Sequence, residues 1–78
     1  MTRYHFHLVN HDVRLDLRVA DLTGERAILD FAEHLAGSLL RADDSPYVGN
    51  PDAWEIRVTN DDGIEVFALP LSEVAGKL

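Results

Sequence analysis

Apolar and polar residues alternate along two stretches near the start of the chain. Every second position is apolar in the first stretch, residues 4–8, and again in the second, residues 13–19. This period of two is typical of β-strands with one buried face. Pairing Leu8 with Val13 and Phe6 with Leu15 gathers the apolar side chains on one face. The pattern predicts a hairpin closed by the two-residue loop Asn10-His11.

A second hairpin is predicted near the C-terminal end. The segment 60–63 reads Asn-Asp-Asp-Gly, which is typical of a type I turn followed by a left-handed glycine. Regular alternation from this turn pairs Val58 with Val66 and places Phe67 and Leu69 on the polar face. Three explanations remain open for those two residues: a bulge that re-aims the strand, an arginine side chain stacked on Phe67, or a partner surface.

Between the hairpins the apolar period changes to 3.6, which predicts one amphipathic helix over Leu22–Arg41. About 20 residues give roughly 30 Å of helix, enough to cross a four-stranded sheet. Two prolines, a glycine and three acids predict an irregular segment over 43–52, and one short helical turn is expected over 71–76.

These elements predict a single α+β domain over residues 1–78. Its order is β-β-α-β-β, with a four-stranded antiparallel sheet and one long helix packed on one face. The strand order stays open. The predicted apolar face of the sheet is Tyr4, Phe6, Leu8, Val13, Leu15, Leu17, Trp54, Ile56, Val58 and Val66.

The composition excludes several classes of functional site. The 78 residues contain no cysteine, which excludes disulfides, thiolate metal sites and a thiol nucleophile. The formal net charge is −7, and residues 43–78 hold eight acids but two cations. Nucleic-acid binding needs a cationic face, so it is not expected. No apolar run is long enough for a signal peptide or a membrane span, so we expect a cytoplasmic protein without membrane contact.

His5 and His7 are two residues apart, a spacing that is compatible with two metal ligands on one strand. Residues two apart on a strand share a face, so both rings can reach one ion, and the predicted register adds Asp16 opposite His5. Arg14 and Arg18 flank the site and repel a divalent cation. The preferred interpretation is therefore a pair of histidines on the solvent face, with His5 paired to Asp16 and His7 opposite Arg14. Metal binding is the alternative.

Catalytic chemistry has little support in the sequence. Ser38, Ser45 and Ser72 lack the context of a nucleophile elbow or an evident triad. The acidic turn at 61–63 lacks the spacing of a calcium loop, and the glycines do not follow a phosphate-binding spacing. We therefore expect no enzyme activity and no cofactor.

The residues name no substrate, so the function is predicted only as a class. A small domain with a wide apolar helix stripe and an apolar spot at Phe67 and Leu69 predicts a non-enzymatic protein-interaction module. A homodimer is the expected assembly, with an unidentified protein partner also open. The alternative function is metal binding or metal sensing by His5 and His7.

Several separated motifs occur in the order of a known family. They are Arg3-Tyr4-His5-Phe6-His7, then Trp54-Glu55-Ile56-Arg57-Val58, the Asp61-Asp62-Gly63 turn and Leu69-Pro70-Leu71. The chain resembles a family of short bacterial proteins that form a domain of unknown function. It departs from that family at Asn10-His11, where a glycine-containing loop is usual. The resemblance implies a fold rather than an activity, and it matches His7 to the family's histidine.

Overall fold

The computed structural model describes residues 1–41 and 51–76. Four strands form one antiparallel sheet in the order β2-β1-β3-β4. The elements, in chain order, are β1 Thr2–Val9, β2 Arg14–Leu22, α1 Glu25–Arg41, a short 3-10 helix Pro51–Ala53, β3 Glu55–Asn60, β4 Glu65–Pro70 and α2 Leu71–Ala75. The predicted α+β class and the β-β-α-β-β order are confirmed. The two hairpins meet at their inner strands, β1 and β3, so β2 and β4 form the edges.

Helix α1 begins three residues later than the pattern predicts, because β2 continues through Leu22. Gly24 separates strand from helix with a φ of 87°, a left-handed conformation that glycine adopts without steric cost. The helix buries the small face formed by Ile28, Ala32 and Ala36. Alanines let the helix backbone approach the sheet closely, and Phe31 fills the space beside Phe6 with ring centroids 4.7 Å apart.

The core lies between α1 and one face of the sheet. The inner strands supply its largest fully buried side chains, together with the first residue of α2: Phe6, Leu8, Ile56, Val58 and Leu71. The predicted residues Tyr4, Leu15, Leu17 and Trp54 are half-buried against this core. The prediction that Val13 and Val66 belong to the buried apolar face is wrong, because they are 40% and 45% exposed. Both errors come from the hairpin registers.

The predicted register of the first hairpin is wrong. Leu8 pairs with Leu15 rather than Val13, and Phe6 pairs with Arg18 rather than Leu15. The loop is longer than predicted because Asn10 closes it with its side chain. Its Oδ1 accepts hydrogen bonds from the backbone N–H groups of Asp12 and Val13 at 2.9 and 2.7 Å. This Asx arrangement holds a four-residue connection that apolar alternation alone does not predict.

A bulge interrupts each hairpin in its outer strand. In β2 the register shifts between the partners of His7 and Phe6, which leaves Leu17 as the extra residue. In β4 it shifts between the partners of Thr59 and Val58, which leaves Val66 as the extra residue. The turn at 60–63 is as predicted, with Gly63 at φ 80° and its N–H bonded to Asn60. The bulge beyond it reverses the predicted facing of every later residue in β4.

The short helical turn predicted near the end of the chain is confirmed as α2. Leu71 and Val74 are buried, and the Leu71 N–H donates to the Trp54 carbonyl at 3.1 Å. Most of the irregular segment predicted over 43–52 lies outside the described residues, and its end is the 3-10 helix at Pro51–Ala53. Among the helices of the described ranges, none is long and apolar enough to cross a membrane.

Candidate functional site

A buried histidine lies at the centre of the sheet face that α1 does not cover. We call this the open face. His7 belongs to the inner strand β1, opposite Asp16 of β2 and Arg57 of β3. Alternation sends Phe6 and Leu8 into the core, so His7 points the other way. Its side chain is nevertheless only 9% exposed. A polar side chain buried to this degree needs hydrogen-bond partners.

Three residues from two neighbouring strands satisfy the His7 ring. Nδ1 lies 2.7 Å from Oδ1 of Asp16, and Nε2 lies 3.0 Å from Oγ1 of Thr59. Nη2 of Arg14 lies 3.2 Å from the same Nε2. The contacts join β2, β1 and β3 through one imidazole. We call these four residues, His7, Arg14, Asp16 and Thr59, the His7 cluster.

The donors in the His7 cluster fix the tautomer of the ring. A guanidinium only donates hydrogen bonds, so Nε2 must accept from Arg14 and carries no proton. The proton therefore resides on Nδ1, which donates it to the Asp16 carboxylate. The hydroxyl of Thr59 is the second group that faces Nε2. The order carboxylate, imidazole, hydroxyl matches that of a serine-protease triad. Here, however, Arg14 also occupies the nitrogen that would take the proton.

His5 makes a separate contact with the turn of the second hairpin. Its Nε2 lies 2.9 Å from Oδ1 of Asp61, whereas the sequence pattern pairs His5 with Asp16. The bulge and the longer loop shift that partner, so Asp16 contacts His7 instead. The rings of His5 and His7 stack nearly parallel, with centroids 6.5 Å apart and an angle of 7°.

The predicted metal pair therefore lies on one face, but its nitrogens face other partners. Each ring nitrogen of His7 already has a hydrogen-bond partner, and Nε2 of His5 faces Asp61. Within residues 1–41 and 51–76, no group of three or more candidate ligand residues gathers around a point. Metal binding by His5 and His7 stays a prediction.

Two arginines on the open face, Arg3 and Arg57, are paired with carboxylates. Nε of Arg57 lies 2.6 Å from Glu55 and 3.4 Å from Glu65. The hydrogen bond that Arg57 donates to Glu55, reinforced by the charges of both acids, raises the pKa of Arg57 above its ordinary value. Arg3 lies 3.8 Å from Asp21. Arg14 differs from these two, since its hydrogen bond goes to the ring of His7.

Thr59 and Asp61 are site residues that the sequence analysis did not identify. Alternation along β3 places Thr59 on the same face as Arg57, which was a usable signal. The sequence did not show that β1 and β3 are neighbouring strands. In the structure His5 lies opposite Thr59 and Tyr4 opposite Asn60. The predicted pairing of the hairpins left the strand order open, so no sequence register linked Thr59 with His7.

The bulge in β4 also relocates the two predicted interface residues. Leu69 is 4% exposed and belongs to the core, opposite Ile56. Phe67 is half-buried and lines a cleft of about 390 Å³ between β4 and the first half of α1. The bulge is thus the correct choice among the three explanations for their apparent position on the polar face. We call this the α1–β4 cleft; its lining is Glu25, Arg26, Ile28, Leu29, Val66 and Phe67.

The sequence of the chain matches a family model over almost its whole length. The family is described as a domain of unknown function, DUF6894, and the match covers residues 3–72. The chain belongs to DUF6894. Its resemblance to a family of unknown function is thereby confirmed, and the matched range spans both hairpins and α1. Neither the curated proteins nor the solved structures contain a match to this chain.

Membership of DUF6894 assigns no chemistry to these residues, so geometry must supply any functional argument. The matched range includes the entire His7 cluster and all of the α1–β4 cleft. The His7 cluster is polar: His7 and Thr59 are buried, Arg14 and Asp16 are exposed, and each ring nitrogen of His7 has a hydrogen-bond partner. The α1–β4 cleft is apolar and open at the edge of the sheet, and it offers a surface for another molecule.

Proposed function

We propose that this DUF6894 chain is a small, non-enzymatic, cytoplasmic protein-interaction module that forms a homodimer through the α1–β4 cleft. The observation that carries the proposal is the cleft itself. Ile28, Leu29, Val66 and Phe67 line it, and Val66 is 45% exposed. A 78-residue chain has few apolar residues to spare from its core. An apolar group left at the margin of the helix layer therefore supports a contact with another protein.

The geometry of a two-layer fold explains why this margin is open. A single helix is about 10 Å wide, whereas four strands spaced about 4.8 Å apart make a wider layer. Helix α1 therefore cannot cover both edges of the sheet. Val66, the extra residue of the bulge, lines the cleft at this margin.

The charges at the rim support a second copy as the occupant. Glu25 and Arg26 are adjacent, exposed residues of the first helical turn. In a two-fold interface every contact occurs twice: if one residue of the first copy contacts a second residue of the other copy, the reverse contact also forms. An acid and a base on the same rim can therefore form two symmetric ion pairs across the interface. Arg26 lies 3.5 Å from Asp30 of its own helix. That exposed pair is weak enough to exchange for a contact across the interface.

Sedimentation equilibrium of the full chain tests the proposal. We expect a wild-type dimer and a monomeric Val66→Asp variant, because the charge would be buried in the apolar contact. Val66 is preferable to Phe67 for this test, since Phe67 packs against the core. Val19→Asp is the matched control, a valine 58% exposed on the opposite edge strand, and it should stay dimeric.

Two results of this experiment would contradict the proposal. A wild-type chain that sediments as a monomer at the highest attainable concentration would exclude the homodimer. Equal loss of the dimer in Val66→Asp and Val19→Asp would exclude the α1–β4 cleft as the contact. Circular dichroism of each variant checks that the fold is retained, and cell fractionation tests the cytoplasmic location.

A further inference from the structure

Strand β2 forms the longer of the two sheet edges. It has nine residues and contains no proline, whereas β4 has six residues and ends at Pro70, which lacks an N–H group. Within the part of the chain that the structure describes, β2 pairs with β1 on its inner side and with no strand on its outer side. An edge strand of this kind can accept a further strand from another chain.

The hydrogen-bond pattern shows which residues of β2 turn their backbone outward. In an antiparallel pair, alternate residues direct their N–H and C=O groups toward the neighbouring strand. The Asn10 N–H donates to the Val13 carbonyl, so every second residue of β1 before Asn10, from Leu8 back to Thr2, faces β2. The residues of β2 that lie opposite the remaining β1 residues therefore point outward. We call them the β2 edge: Arg14, Asp16, Val19 and Asp21.

The bulge at Leu17 leaves the β2 edge usable by a regular strand. On the inner side, β1 pairs with β2 on both sides of the bulge. Its residues two apart along the strand lie opposite the successive residues of the β2 edge: Arg3, His5, His7 and Val9. A strand added on the outer side can follow the same spacing, with every second residue opposite one residue of the β2 edge.

The side chains of the β2 edge favour basic residues on an added strand. Asp16 and Asp21 have side chains that are 87% and 59% exposed. A residue directly opposite on a neighbouring strand lies close enough to pair with each carboxylate. Arg14, at one end of the edge, favours an acid opposite it. The formal net charge of −7 also attracts a basic segment.

The intervening residues of an added strand would face a groove between β2 and the second half of α1. We call it the β2–α1 groove; it measures about 280 Å³ and is lined by Leu17, Arg18, Leu35, Ser38 and Leu39. Leucines form most of this lining, so apolar side chains fit it. We propose that the β2 edge binds an extended segment of a partner protein in which basic and apolar residues alternate.

This site is separate from the proposed dimer contact. The β2 edge and the α1–β4 cleft lie at opposite edges of the sheet. A partner segment can therefore bind to each copy of a dimer, and it can equally bind to a monomer. The partner-binding proposal does not depend on the dimer.

Nuclear magnetic resonance of the full chain with a synthetic peptide tests the proposal. The acetylated and amidated peptide Lys-Leu-Thr-Leu-Lys-Leu-Glu places its lysines opposite Asp21 and Asp16 and its glutamate opposite Arg14 when it binds antiparallel to β2. We expect saturable shifts of the β2 backbone amide signals and slower hydrogen exchange at the β2 edge. The amide signals of β4 should not move.

Two methylated peptides separate strand addition from nonspecific attraction. Methyl groups on the backbone nitrogens of the threonine and the second lysine block the N–H groups that face β2, and should abolish binding. Methyl groups on the first two leucine nitrogens lie on the far side of the added strand, so that peptide should still bind. Equal affinities of the two methylated peptides would overturn the proposal, and so would an unmodified peptide that does not bind at the highest attainable concentration.

Two variants of the chain test the charge preference. Asp21→Asn should weaken binding of the unmodified peptide by about twofold to fivefold, the range for an exposed ion pair. Asp30→Asn makes the same charge change on the exposed side of α1 and should leave the affinity unchanged. Equal effects of the two substitutions would contradict recognition at the β2 edge. A wild-type chain that is monomeric but binds the peptide would exclude the homodimer and support this site.

Discussion

Val58 of β3 faces Phe67 of β4, whereas the next residue of β3, Thr59, faces Glu65. The intervening Val66 is the extra residue of a bulge. That single residue decides which side chains of β4 enter the core. It buries Leu69, keeps Phe67 against α1 and leaves Val66 at the mouth of the α1–β4 cleft. The core and the proposed interface therefore depend on the same local irregularity.

The bulge makes a direct prediction about stability. Leu69→Ala should lower the free energy of unfolding by about 2–4 kcal/mol, because it removes a buried side chain and leaves a cavity. Val66→Ala should change the stability of the monomer by less than about 1 kcal/mol, since Val66 is largely outside the core. Urea denaturation at a dilution where the chain is monomeric measures both values. A larger loss for Val66→Ala would mean that the regular register is the correct one.

Asn10 is expected to stabilise the first hairpin through its side chain. Asn10→Ala removes the acceptor of two backbone hydrogen bonds, from Asp12 and Val13, and should lower the unfolding free energy by about 1 kcal/mol. Asn10→Asp retains an acceptor oxygen and is the control, with a smaller expected loss. Equal losses in the two variants would show that these hydrogen bonds contribute little. The measurement is thermal or urea unfolding at neutral pH.

Thr59 is expected to stabilise the sheet through its hydroxyl. Thr59→Val keeps the shape of the side chain but removes the bond to Nε2 of His7, so we expect a loss of about 1 kcal/mol. A double-mutant cycle with His7→Gln isolates the contribution of the pair. A coupling free energy near zero would contradict the hydrogen bond between His7 and Thr59.

Substitution of two glycines by alanine should change the stability of the chain in opposite directions. Gly37 lies inside α1, and a Cβ placed there would meet the flexible Arg41 guanidinium at 3.3 Å, which can move aside. Gly37→Ala should therefore stabilise the chain by about 0.5–1 kcal/mol. Gly63 has a φ of 80° at the turn, so Gly63→Ala should destabilise it by about 1 kcal/mol despite open space around it. Unfolding midpoints of both variants check the signs.

The proposed homodimer should respond to salt in a specific way. Each copy has a formal net charge of −7, so two copies repel each other at low ionic strength. Added salt screens this repulsion, and apolar contact through the cleft is not weakened by screening. We expect the dimer dissociation constant to fall as salt rises in sedimentation experiments. A constant that rises with salt would point to an interface held by ion pairs.

The fold class could be predicted from the sequence because it depends on local periodicity. Alternation in β1 placed Phe6 and Leu8 in the core and His7 on the opposite face, as the structure has them. The period of 3.6 located α1, and the Asn-Asp-Asp-Gly segment located the second turn. Each of these signals is contained within a few consecutive residues, so neither the rest of the chain nor the strand order changes it.

The candidate site was less accessible to the same reasoning. The sequence identified His5, His7, Arg14 and Asp16 as neighbours, but the longer loop at Asn10 exchanged the partners. His7 rather than His5 contacts Asp16. The two bulges depend on how side chains pack against α1 and the neighbouring strand. The sequence pattern does not distinguish an extra residue such as Leu17 from a regular strand residue.

The amino-acid sequence by itself determined four strands, one long helix and the side of β1 that carries its histidines, because strand and helix periods are properties of the local backbone. Tertiary structure decided the pairing of β1 with β3, the partners of His7 and the burial of Leu69. Those features depend on contacts between residues that are far apart in the chain. His7 and Thr59, for example, are 52 positions apart. Such contacts form only when the two hairpins share one core, and the core selects the register that buries the most apolar surface.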